Sequence, residues 1–107
     1  MSESVTLGGI VDQLRQRGYT ADLAPAADGL RVVSTGRTLG RDELAIREYY
    51  RFEGVSDPDD MSIVYAIEGA DGTRGILVDA FGVYADPAVG AVLSGVPIRP
   101  AAAGERR

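Results

Sequence analysis

Apolar and polar residues alternate with two different periods along this chain, and the change of period divides it into elements. Leu7, Ile10, Val11 and Leu14 recur at i, i+3, i+4 and i+7, the single stripe of an amphipathic helix. Ser4 or Thr6 can cap its start by accepting a free backbone N–H. Gly18 suits the left-handed position beyond its end, with Tyr19 folding back onto Leu14. Gly8 and Gly9 weaken the first turn, so the helix relies on packing.

Beyond residue 19 the period becomes two. Short strands are predicted near Thr20–Ala24 and Leu30–Thr35, with hairpin-loop chemistry between them from Pro25 to Gly29. Gly36 to Leu44 reads as a polar connection with a single turn at Asp42–Leu44. Ile46–Glu53 sets Ile46, Glu48, Tyr50 and Phe52 against Arg47, Tyr49, Arg51 and Glu53, a strand with aromatics on both sides. The strongest strands are Ser62–Glu68 and Arg74–Tyr84. The Asp71-Gly72 pair between them favours a type I′ turn. That turn would place Ile67 opposite Ile76, Tyr65 opposite Val78 and Ile63 opposite Ala80. Both faces of this hairpin are apolar, so it is either covered on both sides, or covered once and paired with another copy.

Asp86-Pro87 opens a second helix, Asp as N-cap and Pro at the first helical position. Val89, Val92 and Leu93 face inward, and Gly95 and Pro97 end the helix. The expected architecture is a single α+β domain over residues 1–96, in the order α-β-β-β-β-β-α. Short connections favour a largely antiparallel meander with the first helix across one face. Residues 97–107 read as a disordered tail.

Composition narrows the function classes. The 107 residues form one domain, large enough for one core. There is no cysteine and no histidine, which removes thiolate chemistry, the usual general base and the commonest zinc ligand. All eleven basic residues are arginine, and the net charge is −5. That balance argues against a nucleic-acid or anionic membrane partner. No apolar run approaches the roughly 20 residues of a membrane span, and the first residues lack a signal-peptide pattern. A cytoplasmic protein is expected.

Three groups of residues carry candidate chemistry. Glu53, Asp57, Asp59 and Asp60 crowd one loop, and with Asp79 they offer oxygen ligands to Mg²⁺ or Ca²⁺. The spacing fails as an EF-hand, since Met61 and Ser62 fall where a ligand and a glycine belong. A solvated turn explains the same residues. Asp79 interrupts an apolar strand, where a carboxylate must be paired, exposed at a groove or protonated. Arg47 and Arg51 are its natural ion-pair partners. Tyr49, Tyr50, Tyr65 and Tyr84 can line a ligand groove or serve as cross-strand core residues. A groove built from Arg47, Arg51, Tyr65 and Tyr84 would take an anionic small molecule. Gly69, Gly72 and Gly75 make no phosphate loop, because no lysine follows and no helix begins there.

The blocks Tyr50–Gly54, Pro58–Asp60, Val64–Ile67 and Gly75–Asp86, with Arg17-Gly18-Tyr19-Thr20 before them, carry a resemblance. The chain resembles a group of small bacterial proteins of about this length, many labelled "phosphoribosylpyrophosphate synthetase". The resemblance covers most of residues 7–86 and implies a shared fold. The label would imply Mg²⁺-dependent chemistry on a phosphoribosyl compound. The residues lack that enzyme's motif: Asp79 is one acid where two belong, Phe81 and Val83 replace hydroxyl residues, and no histidine exists. The composition therefore favours a non-catalytic binding or accessory module that calls for no cofactor. A Mg²⁺-dependent enzyme or sensor of phosphorylated small molecules is the alternative. A domain that binds a partner through its sheet edge is the third reading. A homodimer is compatible with each.

Overall fold

A computed structural model describes residues 7–52, 62–80 and 86–99. The apolar stripe at the start forms α1, Leu7–Gln16, which buries Ile10 and Leu14. The chain leaves it through a Schellman closure. Tyr19 N–H bonds Leu14 O at 3.0 Å and Gly18 N–H bonds Arg15 O at 3.1 Å, with Gly18 at φ 104°. Six strands follow: β1 Ala21–Pro25, β2 Gly29–Val32, β3 Thr38–Gly40, β4 Leu44–Phe52, β5 Ser62–Gly69 and β6 Arg74–Ala80. A 3₁₀ turn, Arg41–Glu43, joins β3 to β4, and α2 spans Pro87–Leu93.

The strand order is β3-β2-β1-β6-β5-β4. The sheet is mixed and not the expected meander. Two antiparallel three-stranded units are joined through a parallel pair, with Ala21 opposite Gly75 and Asp22 opposite Ile76. Only the non-local meeting of β1 and β6 creates this join, so no short connection in the sequence announces it. Among the described residues β3 and β4 are the two edges, yet three residues connect them. Five strand spacings in a flat sheet measure roughly 24 Å. A link of this length reaches at most about 14 Å. The sheet therefore curls until its edges approach. Ala70 N–H bonds Glu43 O at 2.7 Å, and Arg37, in the β2–β3 turn, pairs with Asp71 at 2.9 Å.

Two cores result. The inner side gathers Leu30, Leu39, Leu44, Ile46, Ile67 and Leu77 under Val89, Val92 and Val96 of α2 and its exit. The outer side packs Val64, Ala66 and Ile76 against Ile10, Leu14 and Tyr19. Each well-buried aliphatic side chain contributes about 1.5–3 kcal/mol relative to exposure. The hairpin is thus covered on both faces, α2 on one and α1 on the other.

The Asp71-Gly72 turn differs from expectation. Gly72 N–H bonds Gly69 O at 3.0 Å, Gly69 N–H bonds Thr73 O at 2.7 Å, and Gly72 alone in the turn has positive φ, 92°. This is a type I turn closed by a left-handed glycine, a three-residue loop in place of two. Asp71 uses its side chain instead, accepting Thr73 N–H at 2.9 Å. The extra residue shifts the register by one. Ile67 lies opposite Gly75, Tyr65 opposite Leu77 and Ile63 opposite Asp79. Ile76 and Leu77 exchange faces relative to β5.

β4 also departs from plain alternation. The register against β5 shifts between Ile46 and Glu48, an irregularity that leaves Arg47 as an extra residue. Ile46 and Tyr49 consequently share the α2 face, while Tyr50 turns to the α1 side. Pro97, Ile98 and Arg99, expected to begin a free tail, are bound to β4. Ile46 N–H bonds Pro97 O at 2.9 Å and Arg99 N–H bonds Ile46 O at 2.8 Å, forming a parallel bridge.

Candidate functional site

Of the five acidic residues offered as metal ligands, Glu53, Asp57, Asp59 and Asp60 lie outside the described residues, as does Tyr84 of the proposed groove. Asp79 is described, at the end of β6. Its Oδ1 accepts the backbone N–H of Asp86 at 3.1 Å. Asp86 in turn caps α2, accepting Ala88 N–H at 2.8 Å. Asp79 thus anchors the entry to α2. Among the described residues no three carboxylates converge on one point.

Arg47, offered as a partner for Asp79 and as a groove residue, stands elsewhere. As the extra residue of β4 it is held by Glu68 at 3.1 Å and by Arg99 O at 2.6 Å. Glu68 also meets Arg74 at 3.7 Å. Arg47 therefore ties the C-terminal segment to the sheet. Tyr50 is likewise away from the groove, donating to Glu48, which also pairs with Arg17.

The structure does bring Arg51 and Tyr65 together. They stand on the α2 face of β4 and β5, beside Tyr49, whose ring centroid is 6.4 Å from that of Tyr65. Arg51, Ile63 and Asp79 occupy one row across three strands. Burial raises the Tyr65 phenol pKa above its ordinary value. The Asp79 carboxylate raises it further, while the Arg51 guanidinium opposes them. Tyr65 thus sits between opposite charges as a neutral hydroxyl.

These side chains form one wall of an open groove of about 340 Å³. The end of α2 and its exit form the other wall, through Leu93, Ser94, Val96 and Ile98. Tyr49 and Ile98 keep 47% and 57% exposure, two large apolar groups facing water at one place. Sequence reasoning missed the second wall. Val96 and Ile98 follow the helix terminators Gly95 and Pro97, and their spacing of two was the available signal.

A cavity of about 440 Å³ lies between Pro25–Ala27 and α2. Its lining is mostly alanine, and its one charged group, Arg41, already donates to Ala91 O at 3.4 Å. It supplies no cluster of convergent polar groups of the kind that orients a ligand. No described helix is long and apolar enough to cross a membrane. No family model matches this chain, and no curated protein or solved structure matches it either.

Proposed function

We propose that this chain is a non-catalytic binding module that takes an extended segment of a protein partner along the outer edge of β4. The observation behind this reading is that the edge and the groove adjoin. Strand addition draws affinity from main-chain hydrogen bonds and selectivity from pockets for alternate side chains. β4 already pairs with one such segment, Pro97–Arg99, at Ile46. Past that bridge, Glu48–Phe52 pair on one side with β5, and no described strand lies on the other. Tyr49, Tyr65, Ile63 and Ile98 line the groove alongside. Its volume suits one or two apolar side chains. The sequence holds no histidine, cysteine or lysine, which leaves few groups suited to acid–base or nucleophilic work near pH 7.

Selection of a displayed random-peptide library on the full chain tests this. Peptides with alternating apolar residues should emerge and shift the amide resonances of residues 48–52 and 96–98. Failure to select any peptide, or shifts confined to other strands, would reject the reading.

A further inference from the structure

The geometry points to a specific occupant for that edge: β4 of a second copy, antiparallel about a two-fold axis at Tyr50. The inference rests on the strand-addition reading above and names the partner. A two-fold axis normal to a sheet sets residues of equal parity opposite one another, so the axis must pass midway between one residue and its own copy. The Ile98 bridge occupies the edge at Ile46, which confines a new strand to positions from 48 onward. Centring the axis on Arg51 would oppose two arginines. Centring it on Tyr49 would set Arg51 against Arg47, at the irregular position of β4. Like charges directly opposite are destabilising. Centring on Tyr50 pairs Tyr49 with Arg51 of the partner subunit, twice, on the α2 face.

That register aligns an aromatic face with a guanidinium, the arrangement Arg17 and Arg74 already make with Tyr19 at 5.9 and 5.6 Å. It also continues the α2 face of one copy into that of the next, covering the exposed Tyr49. β3, the other edge, has three residues and offers no comparable length. β4 has nine, with no lysine or proline to blunt it. A five-residue ladder makes a small interface, so the association is expected to be weak, on the order of 10 to 100 µM.

Sedimentation equilibrium of the full chain across that range, with amide exchange at each concentration, reads the outcome. The mass should rise from 11.3 kDa towards twice that value, with protection growing at residues 48–52. Tyr49→Lys places a cation opposite Arg51 and should weaken the dimer by about tenfold. Tyr49→Glu places a carboxylate there and should hold or tighten it. Tyr49 is half exposed, so both variants are expected to keep the monomer's circular dichroism. A monomer at every concentration overturns the inference, as does protection outside β4 or equal weakening by both variants. A monomeric chain that still selects peptides onto residues 48–52 rejects the self-pairing and keeps the strand-addition reading. A chain that does neither rejects both.

Discussion

Gly75 lies opposite Ala21 in the parallel pair, and the space above its Cα belongs to β1. A Cβ there would stand 2.8 Å from Ala21 O and 2.8 Å from Leu23 Cγ. The missing side chain lets Leu23 enter the inner core and lets the two halves of the sheet join.

Gly75→Val should therefore destabilise the fold by about 1–3 kcal/mol, as overpacked sites do. Gly90→Ala gives the contrast. Gly90 lies inside α2, and a methyl group added there would meet nothing within 4 Å, so alanine should stabilise by about 0.5–1 kcal/mol. Urea unfolding of both variants reads the difference. Comparable destabilisation by the two would mean that the β1–β6 contact is not tight.

The turn at Asp71-Gly72 predicts two further effects. Gly72 is left-handed, so Gly72→Ala should cost about 1 kcal/mol, and Gly72→Asn less. Asp71 has its carboxyl pKa held below the ordinary 3.8 by hydrogen bonds from Thr73, with Arg37 adding to the effect. A depressed pKa stabilises the fold above the unfolded value, and that contribution is lost as pH falls through the folded one. The Thr73 amide should keep its exchange protection below the ordinary carboxyl value of 3.8 and lose it only as pH falls through the lower folded value. An Asp71 carboxyl resonance titrating above 3.8 would contradict the assignment.

The turn also explains how much of the fold the sequence could convey. α1 was legible because Leu7, Ile10, Val11 and Leu14 admit one buried face. The start of α2 was legible because Asp86-Pro87 is local capping chemistry. The β5–β6 register was not. Ile76 and Leu77 are both buried, on opposite faces, so a one-residue slip leaves the apolar pattern intact. Hydrophobicity could not decide between two turns, and hydrogen bonding by Asp71 did. β3 has one apolar residue, Leu39, and gives no period to read. The groove was half legible. Tyr49 and Arg51 share a face by alternation, but Ile46 reaches that face only through the irregularity at Arg47, and Tyr65 joins it only through the β4–β5 register. The wall from Val96 and Ile98 depends on a backbone bridge that no side-chain pattern encodes.

Asp79 supports α2 through a contact that a neutral side chain can also make, and that separates a positioning role from metal binding. Asn keeps an oxygen able to accept Asp86 N–H, whereas Ala removes it. Asp79→Asn should leave stability within about 0.5 kcal/mol, and Asp79→Ala should cost about 0.5–1.5 kcal/mol. Amide exchange at Asp86 and Ala88 should quicken in the Ala variant alone. Equal exchange in both variants would remove Asp79 from the support of α2. A Mg²⁺-dependent rise in melting temperature that Asn abolishes would show a metal role instead.

Three tyrosines give the chain an alkaline limit. Burial raises the phenol pKa of Tyr19, Tyr50 and Tyr65 above 10.0, with Glu48 adding to the first two and Asp79 to the third. A raised folded pKa means that the fold favours the neutral phenol. The stabilisation is complete below pH 10 and declines as pH climbs through the folded values. Phenolate absorbance should therefore rise late, together with loss of the folded circular dichroism. Tyr65→Phe keeps the ring and removes the ionising group, so it should move the alkaline unfolding midpoint upward. An unchanged midpoint would mean that Tyr65 ionises without cost, and that its hydroxyl faces open water instead of the wall between Arg51 and Asp79.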